Sequence, residues 1–400
     1  MSANQPAPHP LLRHRDGHHA RVTFEELLFD LVYVFAVTQL SHGLLHHLTL
    51  VGVMENLILW FAVWLGWQYT CWVTNWFNPE TPRIRGLIFA LMFPALLMAA
   101  SIPEAFGERG LVFALAYVAI QVGRTAFIVL HLPGEHALAP NFKRMLGWVV
   151  IAAAFWLAGA FMEGPWRIGL WLIAVLCEYV SPMFGFALPG LGRSRTSDWT
   201  IEGAHLAERC QLFVIVALGE TLLASGAVLA KTEHWDIPVL AGLWVTLLGT
   251  LAMWWLYFGT ASKDATHCVT HSKDPGRTGA NFHYIHAVLV AGIIATAVGN
   301  DLVMAHPDKH MNTTYVVILL LGPMIFLFAS LLYKREVYQV VAKSHLAGIV
   351  LLLALAPIAF LTDLLMVGTL TTVVLLIVSF VEWRVVRRLR AKQANAVIEN

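Results

Sequence analysis

Charge is what this chain lacks most. Only 13% of its 400 residues are Asp, Glu, Lys or Arg, whereas 58% are hydrophobic; an ordinary soluble domain carries about a quarter charged residues. That scarcity excludes a fully solvated surface. A net charge of +1 leaves no basic face for nucleic acid, so no nucleic-acid partner is expected. Cysteine is also sparse. Cys71, Cys177, Cys210 and Cys268 lack close metal-ligand spacing, and three lie in or beside apolar runs, so they read as reduced packing residues. The first 21 residues contain no apolar run, so a cleavable signal peptide is not expected and insertion falls to the first spanning helix. Serine-nucleophile, Walker, dinucleotide-glycine and zinc-ligand patterns are missing too. Their absence weakens an enzyme reading, names no cofactor, and leaves an intramembrane reaction open.

What the chain has is apolar length. With about 20 residues per crossing, an all-α polytopic membrane protein of twelve helices is predicted. The spans fall near 25–47, 52–75, 84–101, 109–131, 144–162, 167–187, 205–229, 238–260, 283–305, 314–333, 344–361 and 364–385, the last two being alternatively one re-entrant hairpin. Polar links at 77–82, 133–140 and 274–279 carry Pro or Gly. On this count 20 of the 26 Lys and Arg fall on the side of the N-terminus, and only Arg109, Arg167, Lys231 and Lys309 on the other. The positive-inside rule then puts both termini in the cytoplasm, in a cell (inner) membrane. The remaining two, Arg124 and Arg209, lie inside spans.

The two halves share features. Glu25 precedes LLFDLVYVFAVTQ and Glu208 precedes RCQLFVIVALGE; Trp67 and Trp255 sit in similar aromatic helices; Glu178 and Glu382 sit in LCEYV and FVEWR. A duplication of six helices is inferred, parallel because six crossings return the chain to its starting side. The organisation expected is a polar tail at 1–22, repeats at 23–190 and 203–386 joined by a linker at 191–202, and a basic tail at 387–400. Chance similarity between apolar helices is the alternative.

Ionisable residues inside spans are the functional candidates, since a charge at membrane depth costs at least a few kcal/mol. In the first helix Glu26, Asp30, Tyr33, Val37 and Ser41 form one stripe at 100° per residue, opposite leucines and Phe35. Glu26 and Asp30 together suit proton or cation binding, while Thr23 and Glu26 have capping-box spacing, a purely structural alternative. Arg209 and Glu220 share a stripe of helix 7 about 16 Å apart, too far to pair with each other. Glu220 is read as an ion or proton site or as the partner of Arg124. In helix 9, His283 and His286 with Asp301 suggest a proton relay, or histidines at one interface and the acid near the other. His42 and His46 have i, i+4 spacing but no third ligand; His9, His14, His18 and His19 read as a polar tail. The tryptophans at 60, 64, 67, 72 and 76 read as packing and an interfacial belt.

The runs FEELLFDLVYVFAVTQLSH, AHLAERCQLFVIVALGETLL and HYIHAVLVAGIIATAVGNDLVMAHP resemble the bacterial low-temperature-requirement protein A (LtrA) family across nearly the whole chain. The resemblance implies a multi-spanning bacterial inner-membrane protein associated with growth in the cold, with no settled substrate. A second, partial resemblance is to the atypical six-helix-repeat potassium channels of lysosomes and bacteria, carried by Phe29-Asp30-Leu31-Val32. Here Glu25 or Glu26 stands at the channels' arginine position, their serine is absent, and helix 7 lacks the matching Asp. The expectation is therefore a proton- or ion-coupled transporter, with a cation channel and a membrane-embedded lipid- or cofactor-binding protein or enzyme as alternatives. Asp30, Glu26, Glu220, Arg209, Asp301, Glu208, Arg124 and Glu178 are its expected substrate or ion site, and membrane lipid and a small ion or small molecule its expected partners. Homo-oligomerisation is left open.

Overall fold

A computed structural model describes residues 9–15, 20–260 and 262–398, without side chains at 263 and 389–398. His18, His19, Lys263, Arg390 and Lys392, named or counted above, therefore lie wholly or in their side chains outside the described residues. Among the described residues the chain is all-helical, with no strand beyond isolated bridges.

The thirteen helices are α1 Phe24–His46, α2 Leu50–Trp76, α3 Pro82–Ser101, α4 Gly110–His131, α5 Ala139–Ala160, α6 Gly164–Met183, α7 Gly203–Lys231, α8 Ile237–Phe258, α9 Ser262–Thr270, α10 Pro275–Ala305, α11 Thr313–Tyr338, α12 Lys343–Ala359 and α13 Leu364–Ile398. Ten are long and apolar enough to cross a membrane, α6, α9 and α12 being the others. Apart from α9, each helix overlaps one expected span. At 17 residues α12 rises about 26 Å, short of the roughly 30 Å hydrocarbon core.

Local chemistry sets the starts. Pro82, Pro140, Pro165 and Pro238 occupy first-turn positions, where their missing N–H costs nothing. Asp236 and Asn312 cap α8 and α11 by accepting from Val239 N at 3.3 Å and Tyr315 N at 2.9 Å. The expected link at 274–279 is corrected on the same ground. Pro275 starts α10, so the ninth span begins a full two turns before residue 283. The run from 387, expected as a tail, continues α13 as helix to Ile398.

The chain divides into two compact units. Unit 1 holds the residues up to Gly43, Leu50–Arg209 and Val269–Gly279; unit 2 holds Leu44–Thr49, Cys210–Cys268 and the residues from Ala280 on. The chain thus passes from one unit to the other within α7.

In unit 1 the core is aromatic. Trp60, Trp64, Trp67, Trp72 and Trp76 are all buried, so they form packing and not an interfacial belt. A second aromatic cluster joins Phe113, Tyr117, Trp156 and Trp171, with centroids 4.9–5.9 Å apart between neighbouring rings. Arg167 ties loops by donating to Gly107 O at 2.7 Å and Met162 O at 2.9 Å, and Arg144 donates to Leu191 O at 2.8 Å. A buried guanidinium here is not automatically a functional one.

In unit 2, α10 and α11 approach backbone to backbone. A Cβ on Gly292 would lie 2.5 Å from Phe326 N, and one on Gly322 2.6 Å from Thr296 N. Small residues allow such crossings where lipid supplies no hydrophobic drive. Ser379 and Thr372 of α13 donate to Ala252 O and Val245 O of α8, each at 3.2 Å.

Candidate functional site

The stripe read from α1 is the inner face of that helix. Glu26, Asp30, Tyr33, Val37 and Ser41 are all buried, while Leu28, Leu31 and Phe35 are exposed. Lipid takes the apolar arc, and the acids turn into unit 1.

There Glu26 uses both carboxylate oxygens. Oε1 accepts from Arg209 Nη1 at 2.8 Å and His205 Nε2 at 2.9 Å. Oε2 accepts from Arg13 Nη2 at 2.9 Å, Thr23 N at 2.9 Å and Thr23 Oγ1 at 3.1 Å. Since Glu26 N also donates to Thr23 Oγ1, at 3.4 Å, the capping box forms and the same carboxylate serves the charge network. Asp30 uses one oxygen. Oδ1 accepts from Arg209 Nη2 at 2.6 Å and Trp67 Nε1 at 2.7 Å, whereas buried Oδ2 has no hydrogen-bond partner among the described residues. Arg209 is wholly buried and also faces the Trp67 ring, 5.8 Å from its centroid.

His205, four residues before Arg209 and so on the same face of α7, has an assignable tautomer. Asn75 Oδ1 accepts Glu202 N at 2.9 Å, leaving its amide to donate to His205 Nδ1 at 3.1 Å. Nε2 then carries the hydrogen given to Glu26, and Arg13, 3.2 Å from that nitrogen, directs its charge to Glu26. With neutral His205, two carboxylates face two guanidinium groups. The cluster is balanced and has one open acceptor, Asp30 Oδ2.

Arg13 comes from outside any helix. Its backbone N donates to Trp76 O at 2.9 Å, Leu11 O accepts Asn78 N at 2.9 Å, and its Nε donates to Thr74 O at 2.5 Å. Residues 11–13 thus run along the end of α2 and lower one guanidinium onto Glu26. Sequence reasoning counted Arg13 only as a topology signal and did not single out His205 or the Trp67 N–H. The i−4 spacing from Arg209 could have found His205; nothing local marks Arg13, because its contacts lie up to 192 positions away.

The other expected residues divide by unit. Glu208 accepts Val22 N at 3.3 Å, and Glu25 pairs with Arg85 at 2.7 Å. Glu178 of α6 accepts from Tyr117 at 2.8 Å and from Gln121 and Trp156 at 3.3 Å each. Arg124 donates to Thr70 Oγ1 at 3.1 Å, Gly66 O at 3.2 Å and Gln121. These contacts place Arg124 in the Glu178 cluster, where the reading of it as a partner for Glu220 is replaced. A π-helical turn, Ala119–Gly123, brings Tyr117, Gln121 and Arg124 to one side.

In unit 2, Glu220 and Asp301 are both buried, and Glu220 and Lys231 both act electrostatically on Asp301. Asp301 Oδ1 has no hydrogen-bond partner among the described residues. His283 and His286 are wholly buried, and His286 Nε2 lies 2.6 Å from Tyr257 Oη. His42 and His46 are exposed, and no group of three or more His, Cys, Asp or Glu suited to a metal occurs among the described residues.

The family model described as bacterial low temperature requirement A protein (LtrA) matches residues 21–380. An uncharacterized protein of Rhizobium meliloti (strain 1021) is 36% identical over 388 residues, covering 96% of this chain and 94% of the relative. No solved structure matches the chain. A polytopic helical protein whose buried Glu26, Asp30, Arg124, Glu178, Arg209, Glu220 and Asp301 lie inside the matched region, this chain belongs to the bacterial low temperature requirement A (LtrA) family.

Proposed function

We propose that this membrane protein is a proton- or ion-coupled transporter in which Asp30 is the exchanging acid. One observation carries the reading: Asp30 Oδ2 is a buried carboxylate oxygen with no donor, beside an oxygen held by Arg209 and Trp67. A buried carboxylate left half-coordinated is costly. A proton or small cation at Oδ2 relieves that cost, and its arrival weakens the claim of Arg209 on Oδ1. Exchange of the carboxylate between a fixed guanidinium and a mobile cation is the physical basis of coupling. Glu220 and Asp301 supply a second buried acid pair, in unit 2, for the coupled ion.

The reading includes two parallel six-helix repeats, 23–190 and 203–386. The placement of charge supports it. Arg124 on α4 acts on Glu178 on α6, and Lys334 on α11 lies 2.6 Å from Glu382 on α13. In each half, leaving out the nine-residue α9, a cation on the fourth helix acts on a carboxylate on the sixth.

The test is flux in proteoliposomes under an imposed pH gradient, with wild type, Asp30→Asn and Glu220→Gln compared. Proton-coupled uptake in wild type that falls at least about tenfold in Asp30→Asn is the expected result. Equal flux in all three removes these acids from the mechanism, and unitary currents in a planar bilayer would replace the carrier with a channel.

A further inference from the structure

Unit 2 carries a second charged centre. Lys334 Nζ lies 2.6 Å from Glu382 Oε1, and Ser344 Oγ donates to Glu382 Oε2 at 2.5 Å. His345 spans from Ser344 to Ser330, each contact 3.1 Å. The corresponding acid of unit 1, Glu178, is sealed among Tyr117, Gln121 and Trp156. The unit 2 pair instead forms part of the wall of a cavity of about 670 Å³ that opens outward.

That cavity has the chemistry of an amphiphile site. An ammonium has three donors; Lys334 Nζ is ion-paired with Glu382 but makes no hydrogen bond among the described residues, although the side chain is only 2% exposed. Lys343 joins it in the wall, and the acid across from them, Asp264, is already engaged by Tyr338 Oη at 2.5 Å. Val381 and Val385 make the apolar side and continue an exposed stripe of α13 through Val373 and Ile377, at i, i+4 steps. Trp383 and Phe380 beside it stack with Arg387 and Arg384, at 5.4 and 5.7 Å. Aromatic rings beside arginines mark headgroup depth, and the arginines of this helix end, Arg384, Arg387 and Arg388, favour anionic lipid.

We infer that the cavity between α11, α12 and α13 binds an anionic phospholipid, its phosphate on Lys334 and Lys343 and one acyl chain along the valine stripe. The site is independent of the exchanging acid Asp30, so either proposal can fail alone.

Native mass spectrometry of the full chain in detergent tests this, with phosphatidylglycerol and phosphatidylcholine of identical chains as probes. One phosphatidylglycerol should bind about tenfold more tightly than phosphatidylcholine. The preference should survive Lys334→Arg and disappear in Lys334→Gln/Glu382→Gln, a pair that removes both charges together and so leaves no lone buried ion. A thermal melt of that variant near wild type separates loss of the site from loss of the fold. Equal binding of the two lipids, or a preference that persists in the folded double variant, overturns the site. Displacement of the lipid by millimolar inorganic phosphate overturns the lipid as its source.

Discussion

Glu26 binds through both oxygens and Asp30 through one, and their amide variants should differ accordingly. In Glu26→Gln the new NH2 must face either Arg209 and His205 or Arg13 and Thr23, all of them donors. A loss of about 3–5 kcal/mol is expected, as for other broken buried pairs, and thermal melts in detergent would register it. Asn at position 30 can keep its oxygen on Arg209 and Trp67 and turn its NH2 to the open side, so Asp30→Asn should cost less, about 1–3 kcal/mol. A folded Asp30→Asn protein is also what the flux experiment needs. Cys268, in α9 outside the spanning helices, has its thiol pushed up by burial and by nearby Glu336. A raised thiol value means less thiolate at pH 7, so native Cys268 should react with maleimide more slowly than after denaturation, and faster as pH rises beyond about 8.5. At this scale the sequence showed which residues could not face lipid, because hydropathy measures that cost directly. It did not show who pairs with whom: Lys334, counted as a loop charge, is buried on Glu382.

At the scale of elements, the α10–α11 crossing depends on the absence of two side chains. Gly292→Ala and Gly322→Ala should each destabilise unit 2 by about 1–3 kcal/mol through overpacking. Gly86→Ala in α3, where a Cβ would meet nothing within 4 Å, should be neutral or stabilising by up to about 1 kcal/mol. Lower melting temperatures for the first two and not the third would bear this out. Long apolar helices were legible because twenty-residue runs have few alternatives. Helix α9, SKDATHCVT, was not, since a run of nine residues, six of them polar, gives no membrane signal. The early start of α10 was missed because Pro and Gly at 275–276 mark a turn and a helix N-terminus equally well.

For the whole molecule, twelve crossings would return the chain to its starting face, so a short epitope at residue 1 and a reporter fused at residue 400 should both read cytoplasmic. A periplasmic C-terminal reporter would mean that one helix, with 17-residue α12 the first suspect, enters and leaves by the same side. The family was legible from long runs in α1, α7 and α10, and the match over 21–380 agrees. Charge parity along the sequence suggested the topology but could not show that the chain changes unit inside α7. Arg13, finally, has a practical consequence. Trimming the chain back to its first hydrophobic helix, or hanging a bulky purification handle just ahead of it, would withdraw one cation from a closed compartment and leave Glu26 short of a counterion. Handles belong at the other end of the chain, and any activity measured on a shortened version describes a differently charged protein.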